Sequence, residues 1–175
     1  MQPAFDRAMP ALFVLLWSTG FIGAKFGLPY APALKFLLWR FAIVIALMTG
    51  IALATRARWP RSRQWLHVAV AGVLQHAGYL GGVFAAIGLG MTAGLSALIV
   101  SLQPVLTALA GSFVGERVRP VQWLGLVLGL GGVLMVVWNK LSLGVIEPAS
   151  LSLTILALLS ITAGTLYQKR FCGAQ

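Results

Sequence analysis

The chain alternates long apolar runs with short polar, glycine-rich or proline-rich breaks. Runs of about 20 residues match the length that a helix needs to cross a hydrocarbon core of about 30 Å. They lack the period-two alternation of transmembrane barrel strands. The pattern therefore predicts an all-α fold, a polytopic transmembrane helical bundle with about six spans. The predicted spans are Ala11–Leu28, Ala33–Ala54, Trp65–Leu89, Ala93–Gly115, Val121–Trp138 and Leu151–Gln168.

Prolines and glycines set the predicted boundaries. Pro29 and Pro32 separate the first two spans. The uncharged stretch from Gln64 to Gly115 is long enough for two spans, and we place the turn between them at Gly88–Thr92, where glycine weakens helix propensity. Pro104, midway along the fourth span, removes a backbone hydrogen bond and predicts a kink. Such a kink can serve gating or expose carbonyls to a cavity, and a static kink fits equally well.

The composition agrees with a protein whose main solvent is lipid. Hydrophobic residues make up 59% of the chain and charged residues 9%, whereas a soluble domain carries roughly 25% charged residues. The net charge of +10 comes from basic residues in short loops, which is how orientation in a membrane is encoded, and nucleic acid is not an expected partner.

The distribution of basic residues predicts a cytoplasmic N-terminus, in what we expect to be a bacterial inner membrane. With that orientation, nine basic residues lie inside and four lie on the outer side or in the outer halves of spans. The inner set is Arg7, Arg56, Arg58, Arg61, Arg63, Arg117, Arg119, Lys169 and Arg170, and the outer set is Lys25, Lys35, Arg40 and Lys140.

The stretch between the fourth and fifth spans contains one of only three acidic residues. Gly115 suits a helix end and Pro120 suits the first turn of the next helix. Glu116 and Arg117 are therefore predicted to form a tight structural corner on the cytoplasmic side, where a negative charge before a helix N-terminus is favourable. A transport or catalytic role for Glu116 is the less favoured alternative.

Glycines four residues apart recur along the spans. Such pairs lie on one helix face and let helix backbones approach closely in lipid. We expect packing within the bundle rather than a dimer seam. The pairs are Gly23/Gly27, Gly78/Gly82, Gly90/Gly94, Gly111/Gly115 and Gly125/Gly129, of which Gly90/Gly94 falls in the predicted turn.

Ionisable residues within the spans are candidates for a substrate path. Arg40, about seven residues into the second span, can attract an anionic or zwitterionic substrate, or bond carbonyls in a structural role. Lys25, near the end of the first span, is explained adequately by snorkelling to the interface. Trp17 can line the path, although a packed aromatic is the commoner outcome.

His76 lies near the middle of the third span, with Gln75 before it and Tyr79 three residues later on nearly the same helix face. Histidine titrates near physiological pH, so His76 is a candidate for carrying a coupling proton. A neutral histidine hydrogen-bonded between helices is the favoured alternative.

Little in the chain suggests catalysis. The acidic residues are Asp6, Glu116 and Glu147, and Cys172 is the only cysteine. There is no metal-ligand cluster, no nucleophile motif, no nucleotide-binding glycine pattern and no acidic pair. We therefore expect no enzyme activity, no metal and no cofactor.

Several short motifs, in order, resemble the EamA-type members of the drug/metabolite transporter superfamily over about residues 10–138. The matching pieces are Leu16–Phe21, Arg40-Phe41, Gln103–Val105, Gly115–Arg117, Gln122–Gly125 and Gly131–Val133. The resemblance implies a five-helix transmembrane repeat at 10–138 and movement of small metabolites, amino acids or drugs, often outward.

Members of that family usually have ten spans, as two five-span repeats in inverted topology. We therefore expect an external loop at 139–150 and the first helix of a second, truncated repeat at 151–175. The chain is then the first half of a ten-span transporter, or a half-size protein that forms a homodimer. The predicted function is secondary transport of small organic solutes by alternating access. The alternative is a non-transporting membrane assembly or sensor subunit.

Overall fold

The computed structural model describes residues 2–57, 59, 62–113, 120–142 and 146–172, and every regular element in that part of the chain is helical. Five helical stretches there are long and apolar enough to cross a membrane, and the first predicted span lies in the first helix except for its last residue, Leu28. This confirms the predicted all-α transmembrane bundle. The elements are α1 (Gln2–Gly27), α2 (Ala33–Ala54), α3 (Ser62–Gly72), a π-helical segment (Val73–Leu80), α4 (Gly81–Gly88), α5 (Ala93–Val100), α6 (Gln103–Phe113), α7 (Pro120–Ser142) and α8 (Pro148–Phe171).

The third span is one continuous helical stretch whose middle turns are π-helical and therefore wider than α-helical turns. It consists of α3, the π-helical segment and α4, and its apolar part runs from Gln64 to Gly88. In a π-helix each carbonyl bonds the N–H five residues later, so an extra residue enters the turn. The α-helical spacing used to place Gln75, His76 and Tyr79 therefore does not hold over this segment.

The fourth predicted span, Ala93–Gly115, is not a single helix. Pro104 has no N–H to give to the carbonyl of Val100, and the chain makes a turn at Ser101 and Leu102 before α6 begins at Gln103. The proline therefore sits in the first turn of a new helix, where it is tolerated, instead of bending one long helix. The end of this predicted span, like the Glu116 and Arg117 corner, lies outside the described residues.

The turn before the fourth span forms where glycine predicted it. Gly90 has a φ of 95°, a conformation that favours glycine. Thr92 then caps α5, because its hydroxyl accepts a hydrogen bond of 3.3 Å from the N–H of Leu95.

The loop predicted at 139–150 is shorter in the structure. Helix α7 continues through Ser142, and α8 begins at Pro148 rather than at Leu151. A proline at the start of a helix loses no hydrogen bond, which explains the earlier beginning of α8.

Helix α8 lies at the centre of the bundle and runs antiparallel to the third span. A Cβ added at Gly82 would lie 3.0 Å from the Cβ of Ala157, and one added at Gly78 would lie 2.9 Å from the Cβ of Ser160. The Gly78/Gly82 pair thus packs within the bundle, as predicted.

Two buried clusters hold the helices together. One joins α1, α2, the third span, α5 and α8, and the other joins α4, α5, α7 and α8. The first contains Ala24, Leu37, Tyr79, Val83, Phe84, Val100, Ala157 and Ile161, and the second contains Ala86, Met91, Leu95, Ile99, Val133, Ile146 and Leu158.

Candidate substrate cavity

A cavity of about 310 Å³ lies between α1, α2, the third span and α8, next to the first buried cluster. Its volume falls in the range of small-molecule sites, which are roughly 300–1,000 Å³. Four transmembrane segments supply its walls. The lining residues are Leu16, Trp17, Gly20, Phe21, Arg40, Gln75, His76, Tyr79, Leu80, Val83, Phe84 and Ile161.

Helix α1 contributes an aromatic wall. The ring of Trp17 lies nearly parallel to the ring of Tyr79, with the centroids 6.2 Å apart and an interplanar angle of 10°. Tyr79 is 5% exposed and belongs to the first buried cluster, so it is a fixed platform for the indole. The pair joins α1 to the π-helical segment across one side of the cavity.

Helix α2 contributes the cationic group of the cavity. Arg40 is half-buried and lines the cavity, and the described part of the chain gives it no salt bridge. The next residue, Phe41, lies against His76, with the ring centroids 5.6 Å apart. Arg40 and His76 are therefore brought to the same cavity from different helices.

The π-helical segment places three polar side chains on the cavity. Gln75, His76 and Tyr79 all line it, and the side-chain amide of Gln75 donates to the Oε1 of Gln168 on α8 at 2.7 Å. Within the described residues, His76 has the contact with Phe41 and no hydrogen bond to another helix.

Helix α8 also supports the π-helical segment. The Ser160 hydroxyl donates to the carbonyl of Leu74 at 2.9 Å. A Cβ added at Gly164 would lie 2.8 Å from the Cγ of Gln75. A small residue on α8 therefore leaves the space that the Gln75 side chain occupies.

Five of the seven substrate-path candidates line this one cavity. The two others lie elsewhere: Lys25 is exposed in the last turn of α1, with its Nζ 6.0 Å from the ring centroid of Phe26, and Pro104 is exposed at the start of α6. The five that line the cavity are Trp17, Arg40, Gln75, His76 and Tyr79.

The apolar residues of the cavity lining were not predicted from the sequence. Phe21, Phe84 and Ile161 line it, yet in a membrane span they look the same as residues that face lipid. The central position of α8 was also missed. The one available signal was polar residues on α8, such as Ser160 and Gln168, which need partners inside a membrane.

The chemistry of the lining is suited to binding a small molecule. It offers one guanidinium, one amide, one imidazole, one phenol and the indole of Trp17 among apolar walls. No cluster of metal-ligating side chains occurs within the described residues. An arginine with neighbouring hydrogen-bonding groups is an arrangement that can hold a carboxylate.

The chain spans about half the length of the curated relatives it matches. It is 28% identical over 166 residues to the "Probable amino-acid metabolite efflux pump" of Escherichia coli (strain K12), covering 94% of this chain and 54% of that protein. It is 28% identical over 135 residues to the "Uncharacterized inner membrane transporter YedA" of the same strain, covering 77% of this chain and 44% of that protein. No solved structure matches the chain. The family model for EamA-like transporters matches residues 9–138, and the chain therefore belongs to the EamA-like transporter family.

Proposed function

We propose that the protein is a secondary transporter of small organic solutes, such as metabolites, amino acids or drugs, and that the cavity is part of the substrate path. The observation that carries the proposal is the convergence of polar and aromatic side chains from α1, α2 and the third span on one cavity inside a membrane bundle. Polar side chains at membrane depth are costly and are retained where they serve a path or a site. Alternating access is the proposed mode of transport.

The proposal places the protein in a bacterial inner membrane with its N-terminus in the cytoplasm. The name of one relative, an inner membrane transporter, supports the location, and the nine-to-four distribution of basic residues supports the orientation. His76 is the proposed carrier of a coupling proton. It faces Phe41 and shares the cavity with Arg40 and Tyr79.

Flux into vesicles tests the proposal. The intact protein that carries this chain is reconstituted into liposomes, and exchange of labelled amino acids and organic acids is measured across the membrane. We expect saturable exchange. Trp17→Ala removes the ring that stacks on Tyr79 and should lower saturable exchange about tenfold, since an aromatic contact contributes about 0.5–1.5 kcal/mol beyond its area.

Trp39→Ala is the matched control, because Trp39 lies one residue from Arg40 and its side chain is 72% exposed. It should leave exchange unchanged. Equal loss in the two tryptophan variants would place the path elsewhere. A folded protein that exchanges no solute would instead support the non-transporting assembly or sensor subunit.

A further inference from the structure

The charge that the described residues bring to the cavity lining is positive. Arg40 brings a permanent positive charge, since a guanidinium stays protonated in proteins. The only acidic residues of the chain are Asp6, Glu116 and Glu147. In the part of the chain that the structure describes, no acidic side chain lines the cavity. Within the described residues, Glu147 is exposed at the N-cap of α8.

The other polar groups of the lining do not offset this charge. Gln75 is neutral, and His76 is neutral or positive in its two protonation states. A phenol such as Tyr79 is ordinarily protonated at neutral pH. These three side chains can donate or accept hydrogen bonds, but none of them supplies a negative partner for a substrate ammonium group.

The rest of the lining is mainly apolar and includes three aromatic rings. Phe84 and Val83 are each 2% exposed, and Phe21 and Ile161 complete the wall with Trp17. Such a surface suits an apolar or ring-bearing body. It also lowers the local dielectric constant, which strengthens the attraction of Arg40 for an anion and its repulsion of a cation.

We propose that this cavity selects organic carboxylates with an apolar or aromatic body and no ammonium group, in preference to zwitterionic amino acids. Arg40 holds the carboxylate, Gln75 and Tyr79 offer further hydrogen-bond donors, and the aromatic wall holds the body. The inference rests on the proposed function, because it assigns a substrate class to the same cavity. A zwitterion is disfavoured because its ammonium group loses water without gaining a negative partner.

Three probes that share a 2-phenylethyl group isolate the effect of the charged groups. They are 3-phenylpropanoate, phenylalanine and 2-phenylethylamine, which present a carboxylate alone, a carboxylate with an ammonium group, and an ammonium group alone. Binding to the intact protein in lipid nanodiscs is measured by isothermal titration calorimetry. We expect 3-phenylpropanoate to bind about tenfold or more tightly than phenylalanine, and 2-phenylethylamine to bind most weakly.

Variants of Arg40 test whether this residue causes the preference for carboxylates. Arg40→Gln should weaken 3-phenylpropanoate binding about tenfold or more. It should also narrow the difference in affinity between the first two probes, because the repulsion between Arg40 and the ammonium group is lost. Arg40→Lys keeps the charge without the planar fork and should restore part of the affinity. Lys25→Gln removes an equal charge from a residue that does not line the cavity, and it should preserve the order of the probes.

Phenylalanine binding as tightly as 3-phenylpropanoate would overturn the inference, as would failure of all three probes to bind. In either case, saturable exchange of other solutes in the vesicle assay would leave the proposed transport function standing. The order of the probes on the unmodified protein decides the inference even where Arg40→Gln does not fold.

Discussion

The third span and α7 carry the same glycine spacing in different surroundings. In the third span, Gly78 and Gly82 face α8, and a Cβ added at Gly82 would lie 3.1 Å from the carbonyl oxygen of Leu153. In α7, none of the described residues comes within 4 Å of a Cβ added at Gly125 or Gly129. Glycines four residues apart therefore permit close helix packing but do not determine where it occurs.

The difference comes from what the partner helix offers. Helix α8 presents small side chains and hydroxyls to the third span, and Ser160 both fills the space over Gly78 and bonds the Leu74 carbonyl. Helix α7 contributes the buried residue Val133 to the second cluster, while Leu128 and Met135 are 67% and 76% exposed. A transmembrane helix can leave such residues exposed, because lipid tails are as apolar as the residues themselves.

Adding a methyl group to each glycine surface is the strongest test of this comparison. Gly78→Ala places a Cβ on Ser160 in a packed interface and should lower the free energy of unfolding by about 1–3 kcal/mol. Gly125→Ala meets open space and should be neutral or stabilise the helix by up to about 1 kcal/mol. Reversible unfolding of the intact protein in mixed micelles measures both values. A similar loss in both variants would show that a further partner covers α7.

A smaller loss is expected at Gly164, where the nearest neighbour is a flexible side chain. The new Cβ of Gly164→Ala would displace Gln75, at a cost of about 1 kcal/mol. Because Gln75 lines the cavity, this variant should also weaken binding of 3-phenylpropanoate in the calorimetric assay. Gly132→Ala, with nothing within 4 Å of its Cβ, is the control. Unchanged binding in the Gly164→Ala variant would show that the contact between α8 and Gln75 does not affect binding in the cavity.

Removing the hydroxyl that supports the π-helical segment should have a moderate effect. Ser160→Ala deletes the bond to the Leu74 carbonyl, and hydrogen bonds between membrane helices average about 0.6 kcal/mol. Ser152→Ala, whose hydroxyl bonds the Ala149 carbonyl within α8, is the matched control. Unfolding curves should separate the two variants. Equal stability would mean that the bond between α8 and the third span contributes nothing measurable.

The smallest effect is expected at the other end of the same interface. Tyr167→Phe removes the 2.8 Å hydrogen bond to the Nδ1 of His67 and keeps the aromatic contact with Phe171. The expected loss is a few tenths of a kcal/mol, at the low end for such bonds. His67→Phe removes the same bond. The loss of unfolding free energy in the double variant should therefore be smaller than the sum of the losses in the two single variants. A loss above about 2 kcal/mol for Tyr167→Phe would contradict this view of the contact.

The polar residues of the cavity could be predicted from the sequence, but their position around one cavity could not. Arg40, Gln75 and His76 stand out in the sequence because polar side chains are rare in apolar spans. No pattern indicates that α2 and the third span bring them to one cavity. The alpha-helical spacing from His76 to Tyr79 was an incomplete guide, since a π-helix replaces the α-helix over Val73–Leu80.

Local sequence was enough to predict the approximate bounds of most spans, the breaks at Pro29 and Gly90, and the polar residues available to a substrate. Six spans were predicted, and five helical stretches among the described residues are long and apolar enough to cross a membrane. Hydrocarbon thickness and backbone chemistry fix these features locally, residue by residue. Packing between the helices set the central position of α8, the close contact of Gly78 with Ser160 in contrast to the exposed Gly125, and the π-helical form of the segment around His76. In lipid both faces of a helix can be apolar, so packing between particular side chains, rather than hydrophobic pattern, selects the inward face.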